Sequence, residues 1–274
     1  MPIGTAEFNY IRDLVRQQSA IVIEPGKEYL VESRLASLAR GEGFASVEQF
    51  IAQLRSRPQN GLHRRVIDAM TTNETSFFRD VHPFDALRQV VIPELAARRQ
   101  AEKTLTIWCG ACSSGQEPYT IAMVLRELGH PFPGWTVRVV ATDLSTEMLE
   151  RAKGGRYSQL EVNRGLPAAF LVKYFQKTGA EWSVKDELRK LIDFRPINLA
   201  EPWAGMPSCD IVFMRNVLIY FDVPTKRDIL GRVRRLLRPD GYLFLGGAET
   251  TLNLDDSYRR APVGKAVAYR PPEA

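Results

Sequence analysis

Cysteine and histidine are both scarce, at three each in 274 residues. So few thiols, in an odd number, give no disulfide framework and fit a reducing compartment. Zinc is excluded by spacing. Beyond Cys109 and Cys112 there remain Cys209, His63, His82 and His130, none at a ligand-pair interval. Long apolar runs are lacking too. Spanning a bilayer takes ~20 apolar residues, and even DIVFMRNVLIYF is broken by Arg215 and Asn216. The opening MPIGTAEFNYIRDLV has no basic stretch followed by an apolar one, so no signal peptide is expected. No charge sign dominates: 37 basic residues face 32 acidic ones, a net +5. That balance permits an acidic partner and does not argue for nucleic acid. The 45% apolar and 25% charged residues exclude a disordered or fibrous chain. At roughly 150 residues per domain, the length allows one large domain or two smaller ones. The expectation is a soluble cytoplasmic monomer with no metal, no nucleic-acid partner and no direct membrane insertion.

The first 70 residues read as helices. Phe8, Ile11, Leu14 and Val15 form one helical face, and Val31, Leu35 and Leu38 another. Ser46 to Gln49 has the form of a capping box opening VEQFIAQLRSR. Pro58, Asn60 and Gly61 end that helix, and LHRRVIDAM gives another. Residues 71–103 form a linker segment whose later part is an amphipathic helix. From 104 to 274 the texture changes. TLTIWCGA, TVRVVATD, IDFRPINL, DIVFMRN and GYLFLGG read as strands. PYTIAMVLRELG, TEMLERAKGG and TKRDILGRVRRLLRP read as helices among them. Alternation of this kind indicates βαβ units and a mostly parallel sheet. Residues 156–191 break the alternation and read as an insertion of a few antiparallel strands, with Thr178-Gly179 at a hairpin turn.

Chemistry concentrates where strands end. The first strand runs into the small-residue loop CGACSSGQE and then a helix, an arrangement that lets backbone approach a ligand at a helix N-terminus. The loop is not GxGxxG and has no P-loop lysine. The second strand ends on Asp143, placed to accept hydrogen bonds from a ribose diol. Taken alone, Asp143 would equally suit an N-cap for the helix near Ser145; with the loop it favours an adenosine-like ligand. Cys109 and Cys112 mimic a thioredoxin motif, but they lie mid-sheet in a long chain and read as small buried residues of the ligand loop. TTNETSFFRD sets Asn73, Thr75 and Arg79 among aromatics, and another strand ends directly in Arg215-Asn216, where sheets deliver residues to a ligand crevice.

Together TTNETSFFRD, CGACSSGQEPY, ATDLS, FRPINL, MRNVLIYFD and LRPDGYLFLGGAE, behind a helical N-terminal domain, resemble the CheR family. These are chemotaxis receptor methyltransferases, which methylate glutamates of bacterial chemoreceptors with S-adenosylmethionine. The resemblance covers nearly the whole chain. It implies a Rossmann-like methyltransferase fold with a small antiparallel β insertion, preceded by an all-α domain. It implies that S-adenosylmethionine, and its product S-adenosylhomocysteine, contact Asn73, Thr75, Arg79, Gly110, Glu117, Asp143, Asn198, Leu199, Arg215 and Asn216. It associates Arg79 and Tyr220 with substrate handling.

Esterifying a glutamate needs no general base, since its carboxyl, with a reference pKa of about 4.3, is already ionised. The implied partner is the helical cytoplasmic bundle of chemoreceptors, reached from the cytoplasm by recruitment to receptor arrays. Lys27, Arg34 and Arg40 are the expected docking cations, with Glu28 and Glu32 interleaved as a solvated face would have them. Some family members bind a receptor C-terminal pentapeptide at a longer glycine-rich turn in the insertion. Here Gln176 to Trp182 holds a single glycine, so independence from such a peptide is expected. Two other functions stay open at this point: a methyltransferase for another carboxylate, and a non-catalytic S-adenosylmethionine-binding signalling module.

Overall fold

The computed structural model describes residues 3–58, 60–129 and 133–272; His130 lies outside them. Four helices lead: α1 (Thr5–Ser19), α2 (Glu28–Gly41), α3 (Val47–Arg55) and α4 (Gly61–Met70). Their apolar faces meet in one core containing Phe8, Ile11, Val15, Val31, Leu35, Phe50 and Ile67. Leu38, expected on the same face, is only partly buried. Ser46 Oγ caps α3 by accepting from Gln49 N at 3.3 Å. Asn60 does not close α3, which stops at Arg55; it opens α4. Its Oδ1 accepts from Leu62 N at 3.0 Å, and His63 Nδ1 accepts from Asn60 N at 3.2 Å. A short polar side chain satisfies the otherwise orphaned N–H groups of a first turn better than it ends a helix.

The linker helix comprises α5 (His82–Ala86), a π turn at Leu87–Val91 and α6 (Ile92–Arg98). The wide turn stands just ahead of Pro93, whose ring would clash with the carbonyl four residues back in a regular helix. Next come β1 (Thr104–Gly110), α7 (Gln116–Glu127), β2 (Thr136–Asp143) and α8 (Thr146–Gly154). The insertion carries β3 (Arg156–Ser158), α9 (Gln159–Asn163), α10 (Ala168–Tyr174), β4 (Phe175–Thr178), β5 (Glu181–Val184) and α11 (Asp186–Arg189). Then follow β6 (Ile192–Pro196), β7 (Cys209–Met214), α12 (Val223–Leu236), β8 (Leu237–Leu245), β9 (Arg259–Val263) and β10 (Ala266–Arg270).

The main sheet has the order β6-β2-β1-β7-β8-β10-β9. Its first five strands are parallel; β10 is antiparallel to β8, and β9 is antiparallel to β10. The β9–β10 hairpin had no strand reading in the sequence. Its outer strand contains Pro262, tolerated there because an edge strand can spare an N–H. The insertion forms a separate antiparallel sheet, β3-β5-β4.

Chain order reverses at β1, between β2 and β7, which opens a crevice at the carboxyl ends of these strands. The end of α1 reaches that edge. Ile21 pairs with Phe221 in an antiparallel bridge, Val22 N donates to Tyr220 O at 2.9 Å, and Asn198 Nδ2 donates to Gln18 O at 2.7 Å.

Candidate active site

The crevice is a cleft of about 840 Å³, counting its open mouth. Four parallel strands supply its walls through the residues just past their ends. These are Ala111 to Ser113 after β1, Asp143 and Leu144 at β2, Ile197 to Leu199 after β6, and Arg215 to Val217 after β7. The segment from Thr71 to Thr75, Arg79 and Tyr220 complete it, and Ser19 and Ile21 close it from the helical side. Asn73, Thr75, Arg79, Glu117, Asp143, Asn198, Leu199, Arg215, Asn216 and Tyr220 thus share one cavity. Gly110 is not among its lining. A Cβ there would fall 2.7–2.9 Å from the thioether of Met214, so its smallness admits a neighbouring side chain, not a ligand.

Asp143 is 7% exposed. Its Oδ2 accepts from Ser113 N at 2.7 Å and its Oδ1 from Ser145 N at 2.9 Å. Burial raises its pKa, and the backbone N–H groups oppose that. The cap of α8 is Ser145, whose Oγ accepts from Met148 N, so the N-cap alternative for Asp143 is set aside. Each carboxylate oxygen retains a lone pair for a further donor. Beside it, Ile21, Leu144, Ile197 and Leu199 offer an apolar slot. The Asn198 amide is committed to the domain junction: beyond Gln18 it donates to Glu201 Oε1 at 3.0 Å, and its Oδ1 accepts from Ala200 N at 3.0 Å.

Arg215 organises the opposite end. Its side chain is 1% exposed. One terminal nitrogen donates to Glu117 Oε2 at 2.5 Å; the other donates to Arg79 O at 2.9 Å and Asp80 Oδ2 at 2.6 Å. The guanidinium also lies 5.5 Å from the centre of the Phe84 ring. Glu117 Oε1 accepts from Cys109 Sγ at 3.2 Å. Asn216 takes φ 58°, and the turn after it is gathered by Glu249. That carboxylate accepts from the backbone N–H of Asn216, Val217, Leu218 and Gly246 at 2.6–2.9 Å.

The sequence reading assigned no role to Asp80 or Glu249. Asp80 lies 135 residues from Arg215, and Glu249 lies 31–33 residues from three of its four partners, beyond any local pattern. Three non-glycine residues around Arg79 also have positive φ: Phe78 at 48°, Asp80 at 65° and Val81 at 42°. Each such residue costs on the order of 1–3 kcal/mol and persists only where its surroundings hold it. Arg79 itself donates to Glu74 O at 3.1 Å, and the Glu74 carboxylate pairs with Arg164 of the insertion.

Of the docking cations, Lys27 and Arg40 are exposed at the two ends of α2. Arg34 is not a free surface charge. It is half-buried and donates to Met70 O at 2.5 Å, Thr71 O at 3.1 Å and Thr72 Oγ1 at 2.8 Å. Burial lowers its pKa. A guanidinium with these partners braces the segment entering the cleft, which corrects its assignment to docking.

All three cysteines are free and buried. Burial pushes the thiols of Cys109 and Cys112 well above their ordinary pKa, the reverse of an activated redox pair. Among the described residues no group of His, Cys, Asp and Glu is placed to hold a metal ion, and no helix is long and apolar enough to cross a membrane.

Comparison with known proteins matches residues 6–71 to the CheR methyltransferase all-alpha domain and residues 73–267 to the CheR methyltransferase SAM binding domain. Chemotaxis protein methyltransferase 1 of Pseudomonas aeruginosa is 42% identical over 276 residues, spanning 98% of this chain and 99% of that protein. Chemotaxis protein methyltransferase Cher2 of Pseudomonas putida is 40% identical over 274 residues, again 98% and 99% of the two chains. The chemotaxis protein methyltransferase of Escherichia coli is 36% identical over 261 residues, 93% and 88%. With an all-α domain and a SAM-binding domain matched in order, and relatives at 36–42% identity over nearly the full length, this chain belongs to the CheR methyltransferase family.

Proposed function

We propose that this protein transfers the methyl group of S-adenosylmethionine to glutamate carboxylates on the helical cytoplasmic part of chemoreceptors. The observation that carries this reading is a cleft without a free base. Among the described residues its lining contains no histidine, and its carboxylates are engaged: Glu74 by Arg164, Glu117 by Arg215 and Cys109, Asp143 by two backbone N–H groups. Such a site suits a nucleophile that arrives already ionised, as a glutamate does at neutral pH.

The residues present fit the co-substrate. The buried Asp143 carboxylate faces the cleft with lone pairs to spare for a ribose diol, beside the apolar slot for a base. Glu117 and Arg215 lie side by side, an anion and a cation matched to the ammonium and carboxylate of an amino acid. S-adenosylmethionine, when bound, supplies a methyl group already activated on a sulfonium. The chain's own task is to orient and to exclude water. Arg79, at the mouth, can fork onto the incoming carboxylate, and Tyr220 can donate its hydroxyl beside it. Pairing there must stay loose, because holding the carboxylate too tightly would stabilise the ground state.

Asp143→Ala removes at least one charge-assisted bond, worth ~1.5–3 kcal/mol, so affinity for S-adenosylhomocysteine is expected to fall at least about 10–150-fold by calorimetry. Unchanged affinity would remove Asp143 from the site.

Docking follows the same reading. The protein is recruited to receptor arrays from the cytoplasm, as a monomer, with Lys27 and Arg40 facing the acidic receptor. In the insertion, Thr178 pairs with Glu181, leaving only Gly179 and Ala180 in the turn between β4 and β5. A closed two-residue turn favours docking without a receptor C-terminal pentapeptide. A titration with such pentapeptides is expected to show no binding alongside normal methylation of a tail-less receptor; micromolar affinity would refute it. The function itself is tested by transfer of labelled methyl from S-adenosylmethionine to receptor cytoplasmic fragments. The label should be released as methanol by base.

A further inference from the structure

We propose that Asp80 is a positioning residue that aims Arg79 through the buried guanidinium of Arg215; the proposal rests on the glutamate-methylating reading of the cleft. Arg79 stands in a turn closed by one hydrogen bond of its own, from Val81 N to Phe78 O at 2.9 Å, and otherwise held from outside. The residues on either side of it, Phe78 and Asp80, have positive φ, and so does the β-branched Val81 that follows. None is glycine. A return of any of them to the ordinary negative region would redirect the Arg79 side chain between them.

Besides that bond and the one from Arg79 to Glu74 O, the turn is fastened to the rest of the fold on two sides. On one side Phe78 N donates to Thr120 Oγ1 at 3.1 Å, and its ring stacks on Phe170 with centroids 5.2 Å apart. On the other, one Arg215 nitrogen takes both Arg79 O at 2.9 Å and the Asp80 carboxylate at 2.6 Å. Asp80 is 55% exposed, while the guanidinium it reaches is almost wholly buried. An exposed acid bent inward onto a buried cation fixes a backbone direction that solvent would otherwise release. The same guanidinium holds Glu117 through its other nitrogen. Losing Asp80 therefore leaves the Arg79 turn held on that side by the Arg79 carbonyl alone, while the Glu117–Arg215 pair at the co-substrate end remains. A residue of mere bulk stability would affect both.

Asp80→Ala, Asp80→Glu, Arg79→Ala and the double variant Asp80→Ala/Arg79→Ala separate these roles. In Asp80→Ala, kcat for receptor methylation is expected to fall about 30–100-fold with S-adenosylhomocysteine affinity kept within about threefold. Asp80→Glu should recover most of the loss, since a carboxylate one methylene longer still reaches Arg215 from an exposed position. In the Arg79→Ala background the Asp80 change should add almost nothing, because it acts through Arg79. Amide hydrogen exchange across residues 78–82 should quicken in Asp80→Ala, a readout that needs no substrate. Near-normal turnover in Asp80→Ala, a loss fully additive with Arg79→Ala, or unchanged exchange in that segment would overturn the proposal. If wild-type protein left receptor glutamates unmethylated, the reading of the cleft would fail, and the exchange result would still decide whether Asp80 holds the turn.

Discussion

Arg79→Ala is expected to lower kcat for receptor methylation by about 10²–10³-fold, the loss seen when a preorganised donor at a reacting centre is removed. The side chain lies at the cleft mouth, half-buried, with one nitrogen on the carbonyl of Glu74. It carries no core packing, so the folded state should survive its removal. Lysine should restore only part of the activity. A point charge lacks the planar fork that sets a carboxylate's direction. Initial rates at saturating S-adenosylmethionine, read with the melting temperature, check the effect. Normal turnover in a folded Arg79→Ala protein would show that the carboxylate is oriented by another group.

The largest expected effect on stability lies at the opposite edge of the sheet. Arg99 Nε donates to Asp210 Oδ1 at 3.0 Å, and its terminal nitrogens donate to Asp240 at 2.9 and 2.5 Å. Asp210 is 1% exposed, and its second oxygen accepts from Thr106 N at 2.7 Å. Arg99→Met would leave the buried Asp210 carboxylate without its closest cation, a change that costs about 3–5 kcal/mol. Urea unfolding should show that loss, while affinity for S-adenosylhomocysteine stays close to normal because the cleft is at the other ends of the strands. The hydrogen bond from Arg99 also holds the Asp240 carboxyl below its usual value of 3.8. A carboxyl depressed in the folded state adds stability above its unfolded pKa and loses it as pH falls through the folded value. The gap between wild type and Arg99→Met should therefore narrow below pH 3.8. A gap independent of pH, or no gap at neutral pH, would mean that neighbouring cations such as Arg238, 3.5 Å from Asp210, carry the pair.

What was legible in the sequence was periodic or terminal. Phe8, Ile11, Leu14 and Val15 recur at helical spacing, and all four are buried. Asp143 and Arg215 stand at or just past strand ends, and a parallel sheet brings such residues to one edge. What escaped was long-range or borrowed from spacing alone. Arg34 is grouped with Lys27 and Arg40 as a docking cation, but the sequence cannot show the carbonyls of Met70 and Thr71 folding back over it. Gly110 suggested a ligand's close approach, and the close approach is that of Met214. Asp80 and Glu249 look like solvated acids until Arg215 and the turn after it are in place. The β9–β10 hairpin was obscured by cations and a proline that an edge strand accepts.

The most direct test of the glutamate assignment is mass mapping of a receptor cytoplasmic fragment incubated with wild-type protein and S-adenosylmethionine. One methyl is expected at glutamate side chains, removed by mild base, and formed about 10²–10³-fold more slowly when Arg79→Ala replaces the wild type. Methyl groups on lysine, arginine or asparagine, stable to base, or a fragment left unmodified while S-adenosylhomocysteine still binds, would contradict the assignment.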